Sequence, residues 1–234
     1  MKLLGIETAT SVCSAAVVID NERRYERNLD TPQIHSQKLV TLIDEVLNIS
    51  GESIRSIDGI AISIGPGSFT GLRIGLSVAK GLAYGSEKPL VAVSTLEALA
   101  LGAMSVRNIE DQLILPVLES RRDELFSAIY RINGGTLTEI LPPKDMRYRE
   151  LADVCEMYSE FVVTGNGAGK FVDFCNKESQ ARFQLNVLPE LQRRCNAIHI
   201  ASLGNSLLHQ NIIADLASIE PAYLKEFYTL SQPN

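Results

Sequence analysis

The sequence predicts a duplicated α/β protein, two β-β-β-α-β-α units in tandem, each a mixed sheet covered by helices. Three observations carry that prediction. Short apolar runs rich in β-branched residues, such as Ser14-Ala15-Ala16-Val17-Val18-Ile19 and Ile60-Ala61-Ile62-Ser63-Ile64, read as buried strands. Between them lie stretches with helical spacing, for instance Leu39, Leu42, Ile43, Val46 and Leu47 on one helix face. After a polar passage near Val106 to Asp111 the same order of elements begins again.

Taken in order, the first unit has strands at 3–6, 14–19 and 24–29, a helix ending near Ser50-Gly51, a strand at 57–64 and a helix at 72–84. A strand at 90–93 and a helix at 95–103 follow. The second unit has strands at 113–118, 125–130 and 137–141, with Gly134-Gly135 turning the last pair. A helix at 147–158 and a strand at 161–164 continue it, and further helices are expected at 170–177, 198–210 and 212–216. The expected lobes are residues 1–104 and 105–234, with a ligand groove between them.

Composition narrows the function. The 234 residues carry a formal charge of −6, and an acidic chain is a poor stand-alone binder of nucleic acid. Cys13, Cys155, Cys175 and Cys195 are scattered, as buried thiols are in a reducing compartment. The N-terminal apolar run breaks at Glu7, too early for a secretion signal, and no run approaches a membrane span. A cytoplasmic location is expected.

The most informative stretch is Gly65-Pro66-Gly67-Ser68-Phe69-Thr70-Gly71-Leu72-Arg73-Ile74-Gly75, between a strand and a helix. Pro66 and Gly67 suit the two central positions of a type II turn, with positive φ at Gly67. Ser68 or Thr70 can cap the helix. N–H groups at such a corner could contact a nucleotide or another anion through Gly65, Gly67 and Ser68. A second glycine-rich corner, Thr164-Gly165-Asn166-Gly167-Ala168-Gly169-Lys170, offers Gly165 and Gly167. It is not a P-loop, since Thr164 stands at the first glycine position and Phe171 at the hydroxyl position.

Within the helix, Gly71, Gly75 and Ala79 recur every four residues and form a smooth stripe flanked by Leu72 and Leu76. Helical glycine costs about 1 kcal/mol relative to alanine, so the stripe needs close backbone approach. Either the lobe's own packing or a partner helix supplies it.

The glycine corner resembles the signature of the bacterial TsaB family, also called YeaZ. Leu4-Gly5-Ile6-Glu7-Thr8-Ala9 is similar to that family's first strand and turn, with Glu7 where an Asp is usual. His35-Ser36-Gln37-Lys38-Leu39 resembles its His-Ser-Glu-x-Leu helix start, and Val93-Ser94-Thr95-Leu96 and Glu220-Pro221-Ala222-Tyr223-Leu224-Lys225 also fit. The likeness is close through about residue 100 and looser beyond.

The resemblance implies actin-like, RNase H-like lobes of the sugar-kinase and Hsp70 type. It implies a non-catalytic scaffold or activator in transfer of threonylcarbamoyl to adenosine 37 of tRNAs reading ANN codons. The partners it implies are TsaD, the related metal-bearing transferase, as heterodimer, and the ATPase TsaE. The chain would form a homodimer when alone and meet tRNA only through the complex. No intrinsic cofactor is implied; ATP, ADP or Mg would enter only with TsaD and TsaE. The partner interface would be Gly71, Leu72, Arg73, Gly75, Leu76, Ala79 and Lys80, with Arg73 and Lys80 rimming an apolar seam.

The residues speak against catalysis on their own account. The transferase holds its metal with His-x-x-x-His after the fifth strand, and the positions here, counted from Val93, are Thr95 and Leu99. No metal site is expected. His35, His199 and His209 have no ligand spacing, and Ser68 lacks a Gly-x-Ser-x-Gly context. The alternative is an actin-like enzyme, either a small-molecule kinase or a glycoprotease-like peptidase.

Overall fold

The computed structural model describes residues 1–31, 34–106, 111–177 and 182–224. In the first half the order is β1 (Lys2–Glu7), β2 (Val12–Ile19), β3 (Arg23–Asp30), α1 (His35–Ser50), β4 (Gly59–Gly65), α2 (Phe69–Ser86), β5 (Leu90–Ser94) and α3 (Thr95–Val106). The second half runs β6 (Leu113–Glu119), β7 (Glu124–Asn133), β8 (Thr136–Arg147), α4 (Tyr148–Cys155), β9 (Glu160–Thr164), α5 (Ala168–Lys177), β10 (Gln184–Val187) and α6 (Ala197–His209). Each half builds one five-stranded sheet, in the orders β3-β2-β1-β4-β5 and β8-β7-β6-β9-β10. In both sheets the first three strands are antiparallel, and the fourth and fifth lie parallel to the first. The predicted duplication is therefore present in the two sheets, the second with one strand more than expected.

Burial explains the pattern. Every residue of β2 is buried, which is why that strand is a continuous apolar run rather than an alternating one. On the outer face of the first sheet, Leu39, Ile43 and Val46 of α1 and Leu76 and Ala79 of α2 pack on Ile6, Val17 and Ile62. On the second sheet, Leu151 and Cys155 of α4 and Phe171 of α5 pack on Leu115, Ile129 and Phe161.

The two inner helices trade sides. Leu96, Leu99 and Ala103 of α3 pack against Ile114, Leu118, Tyr130 and Val162 of the second sheet. By contrast α6 presses on the first sheet. A Cβ on Gly5 would lie 2.3 Å from Ala197 O, and one on Gly204 would lie 2.4 Å from Ala61 Cβ. The N–H groups that open α6 are met by that sheet too. Ala197 N donates to Ser14 Oγ at 2.9 Å and Ile198 N to Glu26 Oε1 at 3.2 Å. The sheets fall on either side of residue 104, while α6 belongs to the second half by sequence and to the first by packing.

Two local expectations differ from the fold. Residues 212–216 are not helical; the segment turns, and Ala214 N is tied to Leu90 O at 2.8 Å. Strand β10 was not expected, because Gln184-Leu185-Asn186-Val187 is short and half polar, and its pairing with β9 decides it. Residues 107–110 of the polar passage and Lys225 of the C-terminal motif lie outside the described residues.

Candidate functional site

Between the two halves lies a cleft of about 870 Å³. It is walled by the β1–β2 turn, the first residues of α1 and α2, the β6–β7 turn, Asn166 and the C-terminal residues Ala222 to Leu224. Gly67 and Ser68 of the first glycine corner and Asn166 of the second line it, and several of the corners' N–H groups are met within the chain.

At the first corner Gly65, not Gly67, takes the left-handed backbone, with φ of 115°, and the Gly65–Pro66 peptide is cis. The type II turn expected at Pro66-Gly67 is therefore corrected. Gly67 is needed for contact instead of conformation, since its Cβ would sit 2.3 Å from Ala9 O. Ser68 caps α2 as expected, its Oγ accepting from Gly71 N at 3.2 Å. Ser68 N donates to Ala9 O at 2.7 Å and Leu72 N to Ser68 O at 2.9 Å. At the second corner Gly165 N donates to Arg193 O and Gly167 N to Val117 O. A Cβ on Gly165 would meet Val117 O at 2.2 Å. Of the residues expected to contact an anion, Ser68, Gly165 and Gly167 thus have their N–H groups taken within the chain, while Gly67 and Ser68 line the cleft. Asn166 lines the cleft as well, its Oδ1 accepting from Glu119 N at 3.0 Å.

The predicted partner stripe is also redirected. Gly71, Leu72, Gly75, Leu76 and Ala79 are all buried. A Cβ on Gly71 would lie 2.1 Å from Thr8 O, and one on Gly75 the same distance from Thr8 Oγ1. Their close approach is to the end of β1 within the same lobe, so these five residues offer no surface. Of the predicted set, Arg73 is exposed and Lys80 half-buried. The outward face of α2 carries Arg73, Ser77, Gly81, Tyr84 and Gly85. Tyr84 is 80% exposed, and a Cβ on Gly81 or Gly85 would meet nothing within 4 Å.

The C-terminal Glu-Pro-x-Tyr-Leu element crosses the first corner. Ala222 N donates to Ile64 O at 2.7 Å. Tyr223 accepts from Arg73 Nε through its hydroxyl at 2.9 Å and packs against Phe69, the rings tilted by 35° with centres 5.3 Å apart. Arg73 in turn lies 3.7 Å above the Phe69 ring.

Glu7 ends β1, close to the cleft yet sealed from it, at 0% exposure. Its carboxylate oxygens accept from Ala9 N at 2.5 Å and from the Cys195 thiol at 3.2 Å. Burial pushes its pKa up, and those two hydrogen bonds offset only part of the rise. The thiol of Cys195, itself buried beside Glu7, is pushed up for the same reason. Thr95 and Leu99 are buried in α3, with Leu99 in the core. His199 packs its ring 3.0 Å from where a Gly102 Cβ would stand, and burial, with Arg24 nearby, lowers its pKa to about 4. Among the described residues no three His, Cys, Asp or Glu side chains gather as a metal would require. No helix among them is long and apolar enough to cross a membrane.

Comparison with known proteins agrees with this architecture. The profile of the family described as "TsaD: tRNA N6-adenosine threonylcarbamoyltransferase" matches residues 30–226. The Escherichia coli (strain K12) tRNA threonylcarbamoyladenosine biosynthesis protein TsaB is 36% identical over 185 residues, 76% of this chain and 77% of that protein. YeaZ from Pseudomonas aeruginosa superposes with a TM-score of 0.81 at 24% identity, covering 95% of this chain and 99% of that one. A ROK hexokinase from Thermus thermophilus superposes at 0.53 with 13% identity, over 90% and 100% of the two chains. The two structural likenesses show a shared fold, the duplicated actin-like arrangement.

Proposed function

The chain belongs to the TsaB (YeaZ) family, and we propose that it serves tRNA threonylcarbamoyladenosine biosynthesis as a non-catalytic subunit paired with a TsaD-type transferase. The partner surface in this reading is the outer face of α2, with Arg73 and Lys80 beside Ser77, Gly81 and Tyr84. One observation carries it. Gly81 and Gly85 each cost about 1 kcal/mol in a helix relative to alanine, and among the described residues no contact uses the space they leave. A helix of another chain approaching closely would use it. Tyr84, broad and amphipathic, suits the centre of such a contact.

The non-catalytic part of the proposal rests on donor chemistry. Where the transferase carries its histidine pair, this chain has Thr95 and Leu99, and an aliphatic core side chain cannot bind a metal. Glu7, at the position where actin-like kinases use an Asp, points its carboxylate at Ala9 N and Cys195 rather than into the cleft. A kinase or peptidase reading has no comparable support. TsaE and tRNA join through the complex, and the same α2 face closes a homodimer when the chain is alone.

The test is reconstitution of threonylcarbamoyl transfer from purified TsaD, TsaE and threonylcarbamoyl-adenylate, with and without this chain. Modified tRNA should form only when it is present. Full product in its absence, or turnover by the isolated chain, would refute the assignment.

A further inference from the structure

The geometry points to an oxyanion site at the N-terminus of α1, inside the cleft, that takes the phosphate or carboxylate group of a small molecule. It does not depend on the partner reading above. The first four N–H groups of a helix have no acceptor within it. In α1, a helix of 16 residues, no side chain caps them and the first turn has no acidic residue. Gln37 N turns back on Ile34 O at 3.0 Å, and Lys38 N makes the first ordinary helical bond to the same oxygen, also at 3.0 Å. Among the described residues no acceptor meets the N–H groups of His35 and Ser36, and both residues line the cleft.

The second observation is independent of the helix. His35 lines the same cleft at only 7% exposure, and its Nε2 is buried with no hydrogen-bond partner among the described residues. A buried imidazole nitrogen without a partner costs about 1–3 kcal/mol. A bound oxyanion, held by the adjacent N–H groups and the Ser36 hydroxyl, would provide that partner.

The surroundings suit a negative group. Thr70 at the start of α2 and Arg121 on the β6–β7 turn line the same cavity. Glu119 is the one carboxylate lining it among the described residues, and Lys170 neutralises it at 2.7 Å. Hydroxyl, imidazole, guanidinium and the positive end of a helix thus converge on one space.

The experiment is a two-dimensional amide NMR titration of the whole chain with sodium phosphate, and in a second arm with sodium acetate, at constant ionic strength set by chloride. Saturable shifts centred on the His35 and Ser36 amides are expected. Saturation by phosphate alone assigns a phosphate-bearing ligand, and by acetate alone a carboxylate. Ser36→Asp places a carboxylate in the first turn and should abolish the shifts without lowering the melting temperature, since such a charge favours the helix. Arg121→Ala should weaken binding by about tenfold. No saturable shift with either anion, or unchanged shifts in Ser36→Asp, would overturn the assignment.

Discussion

The hydroxyl of Thr8 fills the space that a side chain on Gly75 would need: a Cβ there would lie 2.1 Å from Thr8 Oγ1 and 3.2 Å from Thr8 Cβ. The glycine stripe of α2 is thus consumed by the end of β1. Gly75→Ala should push α2 off the sheet and destabilise the protein by about 1–3 kcal/mol, the usual cost of overpacking. Thr8→Ala in the same chain removes the clashing oxygen and should restore most of the loss. Urea unfolding of the single and double variants checks the coupling; additive effects would refute it.

Gly81 answers to the opposite logic. Its site is open, so Gly81→Arg should leave the melting temperature unchanged or raise it slightly through helix propensity. The added side chain would nevertheless hold a partner helix away from α2. Co-purification with TsaD should be lost while circular dichroism is unaltered, and retained binding would exclude this face.

The buried Glu7 carboxyl makes stability depend on pH. Its folded pKa is raised above the ordinary 4.5, so the folded state binds that proton more tightly than the unfolded chain. The stability it contributes is complete below the unfolded value and is lost as pH rises toward the raised one. Glu7→Gln, neutral throughout, escapes that loss. The stability of the wild type relative to Glu7→Gln should therefore fall as pH rises from the ordinary 4.5 toward the raised value. His199, lowered to about 4, acts with the opposite sign, adding stability as pH rises toward 6.5, and cancels in the comparison. A pH-independent difference would show that Glu7 titrates normally.

Among the described residues one backbone bond, Ala222 N to Ile64 O, ties the C-terminal Glu-Pro-x-Tyr-Leu element to β4, beside the contacts of Tyr223 with Arg73 and Phe69. Ala222→Pro deletes the donor, at about 1 kcal/mol. Proteolysis beside Tyr223 should accelerate about fivefold, the equilibrium equivalent of that energy. Ala222→Gly keeps the N–H and should cleave at the wild-type rate or close to it.

Periodicity revealed the duplication because both halves bury their central strands, β1, β2 and β4 and β6, β7 and β9, on two faces, and near-continuous apolar runs are easy to see. It also located Ser68 as a cap, since that bond spans three residues. It could not show how α6 is capped, because Ser14 and Glu26 lie 183 and 172 residues away from their partners. Nor could it show that His35, read only as part of a family motif, is buried with an unsatisfied nitrogen.

For the opening glycine stretch the division is sharp. Spacing alone established that Gly71, Gly75 and Ala79 share a helix face that must be approached closely. Which neighbour approaches is a long-range question, and the fold answers it with Thr8 at the end of β1. In the same way residue types marked the corner as rich in N–H donors. Only the tertiary structure decided that Ala9 O and Ser68 Oγ take two of them, while the starting amides of α1, without a cap, line the cleft. Local sequence fixes periodicity and caps within a turn or two; contacts across the chain decide which donors and which faces remain for another molecule.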